Sequence, residues 1–402
     1  MNELASLGLI LLFALLLGHL VKYVRVPEVT GYIFAGITLG PSVLGWLSHE
    51  NVRTLSVFSE VALGLILFSI GSVFEGSRVR ALGWPVLRVA LCETGIAAML
   101  VAGAALALGQ TWQVALLLGA IAMETGAAST LMVMREYDSA GPLTDTLTGV
   151  IAVNNILCLI AFSTAATVIN LGTGVTATRG WAGIYESVFP LVWQLAGSAA
   201  LGYLVGLLLA GWASRVTAHG EILILLAGCV LLCVGAAMLM ELSALVASLA
   251  VGATMVNLSS RSRRLFGALG QTDPPLYAIF FVIAGADLNL SLLKSMGAVG
   301  LAYVAARACG KVFGARLGAH ISALPLEVRR YLGTSLLAHA GLAVGLTLAV
   351  SRRFPDLAPA VVTVVLSAVV VYEIFGPLGV RIALQATGES GRLVESRELN
   401  LD

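Results

Sequence analysis

Charge is what this chain has least of. Only 11% of its 402 residues are Asp, Glu, Lys or Arg, against about 25% in an ordinary soluble domain. A soluble globule needs far more polar surface than that to stay wettable. The net charge of +1 and the lack of any long basic run exclude nucleic acid as a partner. Cysteine is scarce too. Cys92, Cys158, Cys229, Cys233 and Cys309 lie inside apolar segments, and none is spaced like a zinc site or a disulfide framework. Cys229 and Cys233 share a helix face, which reads as packing. There is no nucleophile–base motif, phosphate loop or His-rich metal site, so neither an enzyme nor a cofactor is expected. The Met1-Asn2-Glu3 start has no basic region, so a cleaved signal peptide is not expected and the first apolar segment should be retained.

What the chain has is apolar surface: 58% hydrophobic residues and a mean hydropathy of +0.96. Disordered chains are poor in such residues; an integral membrane protein is rich in them. A membrane helix needs about 20 apolar residues. On that basis thirteen spans are expected, at 3–21, 27–46, 54–74, 85–109, 112–134, 144–170, 187–211, 221–240, 242–257, 273–288, 295–319, 328–350 and 359–384. The separators carry turn and charge signals, among them Arg261-Ser-Arg263-Arg264 and Arg352-Arg353-Phe-Pro355. With the N-terminus outside, 16 of the 23 Lys and Arg fall on the cytoplasmic side, five outside, and Arg307 and Lys311 mid-span. That asymmetry points to N-outside and C-inside.

Three pairs of segments echo each other. Leu67-Phe-Ser-Ile-Gly71 resembles Phe280-Phe-Val-Ile-Ala-Gly285. Ala35-Gly-Ile-Thr-Leu-Gly40 resembles Ala247-Ser-Leu-Ala-Val-Gly252. Glu124-Thr-Gly-Ala-Ala-Ser129 resembles Ala338-His-Ala-Gly-Leu-Ala343. Each pair is seven spans apart, an odd number, so the copies run in opposite directions. Inverted repeats are the usual build of secondary transporters. The expected organisation is a single transporter domain with a first repeat over 1–170, a linker helix at 187–211, an inverted second repeat over 221–384 and a short cytoplasmic tail at 385–402.

Ionisable residues at membrane depth are costly and so are functional candidates. Glu93, Glu124, Arg307, Lys311 and His339 are the deep ones; Glu60, Glu373 and Asp145 read as lying nearer helix ends and as structural. In span five, Gly126 beside Glu124 and Thr125 suggests a broken helix, whose carbonyls and half-helix dipoles would face the midplane; a small-residue packing face is the alternative. Span twelve has the same look at His339-Ala-Gly341. Arg307 and Lys311 are one turn apart on one face and need a carboxylate, water or the carbonyl ends of broken helices, unless both snorkel to the surface. Asn154-Asn155 in span six must be hydrogen-bonded, in a site or between helices. His339 is a candidate proton carrier or pH sensor, against a bonded interfacial histidine, and Glu93 a weaker one.

These residues carry a resemblance. Val26-Pro27-Glu-Val-Thr-Gly31 with Gly36 and Gly40-Pro41, Glu60-Val-Ala-Leu-Gly64 with Phe68 and Gly71, Phe280-Phe281 with Gly285, and Ala306-Arg307-Ala-Cys-Gly310-Lys311 are similar to ordered motifs of the monovalent cation:proton antiporter superfamily, in its branch of bacterial sodium/proton and potassium-efflux antiporters. The match covers nearly the whole chain. It implies an all-α fold with inverted repeats and two crossing broken helices, a core and a dimerisation domain, a homodimer, monovalent cations and protons as partners besides the lipid bilayer, and a prokaryotic inner membrane.

One departure bears on the site. Where the family carries an aspartate pair, or Asn followed by Asp, this chain has Asn154-Asn155. An amide can coordinate a cation but cannot release a proton near neutral pH. Either Glu124 takes over as titrating carboxylate and counter-charge to Arg307 or Lys311, or the site has lost its cation preference and suits an anion or polar solute. A non-transporting sensor on the same fold is a third reading. The expected site is Glu124, Thr125, Asn154, Asn155, Arg307 and Lys311, with Glu124 the nearest carboxylate. Potassium-efflux relatives often carry a nucleotide-binding domain after the last span; only residues 385–402 follow it here, and no such domain is expected among them.

Overall fold

The structure, a computed structural model, describes residues 2–71, 74–173, 189, 192–216, 218–259, 262–270, 273–290, 292 and 295–392. Among them the regular structure is helical, without strands. The helices in order are α1 (Glu3–Tyr23), α2 (Glu28–Leu39), α3 (His49–Gly71), α4 (Gly76–Ala107), α5 (Trp112–Ala122), α6 (Ala127–Glu136), α7 (Pro142–Thr173) and α8 (Ser198–Ala213, after a π-helical turn at Trp193–Gly197). There follow α9 (His219–Leu239), α10 (Ala244–Leu258), α11 (Ser262–Gly270), α12 (Asp273–Asp287), α13 (Gly297–Ile321), α14 (Leu326–Ser335), α15 (Gly341–Arg353) and α16 (Ala358–Ala386).

By length and composition nine stretches among the described residues can cross a membrane, α5–α6 counting as one, and α2, α10 and α12 are shorter apolar helices. With the α14–α15 pair they account for the thirteen expected spans one for one, and the chain is a multi-pass membrane protein. Several bounds differ. α2 stops at Leu39, because the chain turns at Gly40-Pro41 and Gly45 takes a left-handed φ of 65°. α4 begins nine residues before Pro85, which sits inside the helix. The stretch after α10, read as a charged separator, contains the short helix α11. The start of the linker span, with Arg179 and Lys294, lies outside the described residues.

The chain folds as two compact units, each drawing on both halves of the sequence. One comprises Met1–Leu16, Phe34–Ala81 and Val188–Asp287; the other Leu17–Ile33, Leu82–Ser187 and Leu288–Asp402. In the first unit, α3, α8, α9 and α10 enclose an apolar core that includes Phe68, Val230, Cys233, Val251 and Met255. Helix backbones touch through glycine. A Cβ on Gly252 of α10 would collide with the Phe68 carbonyl of α3, and one on Gly36 of α2 with the Val282 carbonyl of α12. The segment echoing α2 thus packs on α3, and the segment echoing α3 packs on α2. This exchange is what an inverted repeat produces when its copies interlock.

In the second unit α13 is packed by α4, α14 and α16. Ser, Thr and Pro punctuate the helix starts in both units. Thr111 accepts the Val114 N–H at the head of α5, and Ser243 accepts that of Val246 at the head of α10. Pro142 opens α7.

Candidate functional site

Span five is broken, as expected. α5 ends at Ala122 and α6 begins at Ala127, leaving Met123–Gly126 non-helical. Span twelve breaks between Ser335 and Gly341. The two breaks cross: the Gly126 N–H donates to the Ala338 carbonyl at 3.0 Å. A Cβ on Gly126 would stand 3.0 Å from that of Ala340, so glycine lets the strands of the crossing touch.

A broken helix leaves carbonyls without partners in a region with no water to satisfy them. Here α13 supplies the donors. Arg307 gives Nε to Ala122 O (3.2 Å), Nη1 to Leu337 O (2.7 Å), and Nη2 to Glu124 O (2.7 Å) and Ala338 O (3.0 Å). Its guanidinium lies 4.4 Å over the Tyr372 ring. Lys311 Nζ donates to Met123 O (2.7 Å) and Thr125 Oγ1 (2.8 Å) and pairs with Glu93 Oε1 at 2.5 Å. Both cations are fully buried, so neither snorkels. They sit at the C-terminal ends of α5 and α14, where the helix dipoles are negative.

The carboxylate that meets Lys311 is Glu93, and this corrects the sequence expectation that Glu124 would be nearest to the Lys311–Asn154 cluster. Glu93 also accepts from Asn154 Nδ2 at 2.8 Å, while the second Nδ2 hydrogen goes to Thr125 Oγ1 at 3.2 Å. The reason is helix packing. Gly310, Gly314 and Gly318 form a small-residue stripe along α13, against which the α4 backbone lies so closely that a Cβ on Gly314 would be 2.6 Å from Glu93 Cα. That spacing of glycines was the available signal for Glu93; it identifies a closely packed face, though not the partner helix.

Glu124 turns the other way. Its Oε2 takes His339 Nδ1 at 2.6 Å and the Ala340 N–H at 3.3 Å, at the positive start of α15. Tyr303 Oη lies 3.0 Å from His339 Nε2. With an ionised Glu124 as acceptor, a neutral ring carrying its hydrogen on Nδ1 satisfies both contacts, Nε2 accepting from the tyrosine.

Of the expected residues, Thr125, Asn154, Arg307, Lys311 and Glu93 form one network, and Glu124 with His339 adjoins it through the Glu124 backbone. Asn155 is only partly buried, and its Oδ1, like that of buried Asn154, has no hydrogen-bond partner among the described residues. Ser129 Oγ on α6 is likewise unpartnered. Two residues read as near helix ends are not. Glu60 is central in α3 and exposed; Glu373 is fifteen residues into the 29-residue α16, buried, and without a partner for either carboxylate oxygen among the described residues.

The chain has counterparts among known proteins. The transmembrane sodium/hydrogen exchanger family matches residues 8–385. The chain belongs to the sodium/hydrogen exchanger family. It is a cation/proton antiporter of that family, within the monovalent cation:proton antiporter superfamily, and a transporter rather than an enzyme. It is 24% identical over 290 residues to the ammonium/H+ antiporter subunit AmhT of Alkalihalophilus pseudofirmus, covering 72% of this chain and 71% of that protein. The solved sodium proton antiporter MjNhaP1 of Methanocaldococcus jannaschii superposes with a TM-score of 0.65 at 18% identity over 96% of each chain, and so shares the exchanger fold.

Proposed function

We propose that this exchanger swaps Na+ or K+ for protons by alternating access, at an atypical site on the crossing. Glu124, Thr125, Asn154 and Asn155 line it, with Arg307 and Lys311 as fixed charges. The observation that carries the reading is the Asn154 amide oxygen, unpartnered among the described residues on a side chain that donates to Thr125, with the oxygen of the next residue, Asn155, likewise unpartnered. A buried amide oxygen without a partner costs free energy that a cation ligand recovers. Such oxygens suit hard monovalent cations and do not suit anions. The charges weigh the same way. Lys311 is matched by Glu93 and Arg307 by four carbonyls, so neither is left free to hold an anionic solute.

The decisive test is proteoliposome flux, with imposed Na+, K+, Li+ and NH4+ gradients and an internal pH dye. Alkalinisation or acidification following one or more of these gradients supports the reading; flux of an anion with no proton movement sinks it. We further propose a homodimer, with N-outside and C-inside orientation in a prokaryotic inner membrane. The orientation rests on the Lys and Arg asymmetry. The dimer rests on the family and on the apolar outward face of α8, where Tyr203, Leu204 and Trp212 are exposed. Mass measurement in native lipid and cysteine labelling at the termini test these two.

A further inference from the structure

Glu373 stands apart from the network described above. It lies at the centre of a membrane helix, is buried, and neither of its oxygens meets a hydrogen-bond donor among the described residues. An isolated carboxylate cannot remain ionised and unpartnered in such a place; it takes up either a proton or a cation.

Its neighbours make the requirement sharper. Helices α5, α6, α13, α14 and α15 pack against α16. α5 has no ionisable side chain. Arg135 and Glu136 of α6 lie at its far end, as do Arg352 and Arg353 of α15. Glu327, Arg329 and Arg330 are in the first half of α14 and Tyr331 at its middle, before the break that follows Ser335. On α13, Arg307 is turned to the carbonyls and stacked on Tyr372, Lys311 is held by Glu93, and Arg316 and His320 lie towards the far end. Tyr303 of α13 is bonded to His339, whose ring meets Tyr372 edge-on. Tyr372 donates to the Val304 carbonyl and so cannot serve Glu373. On α16 itself Arg381 is two turns away.

Among the described residues of α4, the span-five break, α13 and α16, the buried charged side chains are the carboxylates Glu93, Glu124 and Glu373 and the cations Arg307 and Lys311. With a neutral His339 ring, which satisfies both of its contacts, these groups hold one carboxylate in excess of their cations, and Glu373 is the one without a partner among the described residues.

We propose that Glu373 is the exchanging carboxylate of this protein, holding a proton or a monovalent cation in alternation. This rests on the exchange reading given above and adds to it a titrating group that stands outside the crossing network. Glu373–COOH plus a cation gives the carboxylate–cation pair plus a released proton. Charge is conserved, so exchange at this group is one for one and electroneutral.

The test uses the purified full-length chain in weakly buffered detergent solution with a pH dye. Addition of NaCl, KCl or LiCl, with choline chloride as control, should release a single proton per chain from wild type, none from Glu373→Gln, and again one from Glu373→Asp. Infrared difference spectra of wild type should show a protonated-carboxyl band lost on cation addition, a readout independent of whether the glutamine variant folds. Undiminished release from a folded Glu373→Gln, or no carboxyl band change in wild type, overturns the proposal. Flux in proteoliposomes separates it from the wider reading. If wild type and Glu373→Gln exchange equally, the assignment of Glu373 fails and cation/proton exchange stands. If wild type exchanges nothing but its cation-driven proton release depends on Glu373, the assignment stands and exchange fails.

Discussion

The two compact units follow one packing rule and fill it with opposite interiors. Both bring helix backbones into contact through glycine, Gly252 on the Phe68 carbonyl in one and Gly314 on Glu93 Cα in the other. In the first unit, the described buried residues are apolar or carry hydroxyls; in the second, Glu93, Glu124, Arg307, Lys311, His339 and Glu373 are all buried. Close packing alone therefore does not select for polar content. What distinguishes the second unit is its two helix breaks, which expose carbonyls and half-helix ends that must be met by charge. Once Arg307 and Lys311 are present, carboxylates become necessary.

The largest expected effect breaks that charge balance. Lys311→Met should cost about 3–5 kcal/mol, because it strands Glu93 in the bundle without its counter-ion. Combining it with Glu93→Gln should recover a substantial part of the loss, measured as thermal stability in detergent. A double variant no better than the single would show that the pair is not what holds α4 to α13.

Next come Gly252→Val and Gly314→Val, one in each unit. Each forces apart backbones now in contact and should cost about 1–3 kcal/mol. Only Gly314→Val should also impair cation/proton exchange, since it displaces Glu93 from Lys311. Equal loss of exchange in the two variants would remove the distinction drawn between the units.

A smaller effect is expected where the chain after α16 folds back. Glu389 accepts the Leu143 and Thr144 N–H groups at 2.7 and 2.8 Å and the Thr144 hydroxyl at 2.7 Å, capping α7, the helix of Asn154. Glu389→Ala should cost about 0.5–2 kcal/mol, with faster amide exchange confined to the start of α7. Uniform exchange across the protein would contradict a local cap.

Asn155→Asp should change stability least, by under about 1 kcal/mol, because the side chain is only partly buried. It should nonetheless lower the cation concentration needed for half-maximal exchange, by adding a formal charge beside amide oxygens. An unchanged cation dependence would place Asn155 outside the site.

Much of this was legible from residue order. Thirteen apolar segments, the opposed echoes and the glycine beside Glu124 led to the helices and to both breaks. Arg307 and Lys311 one turn apart already demanded partners. Their identity was not legible, since Glu93 and Lys311 are far apart along the chain and nothing local pairs them. Glu373 was undervalued for a similar reason: a carboxylate in an apolar helix looks the same in sequence whether or not a donor from another helix reaches it.

The sequence by itself determined that the chain lives in a membrane, because too few charges exist to wet its surface, and it marked Gly126 and Gly341 as the places where a helix could break. Only the tertiary structure decided which charge answers which. Glycine faces on α13 set the distance to α4, and that distance gives Lys311 to Glu93. The crossing gives Arg307 to four carbonyls and Glu124 to His339, and the packing around α16 leaves Glu373 with none among the described residues.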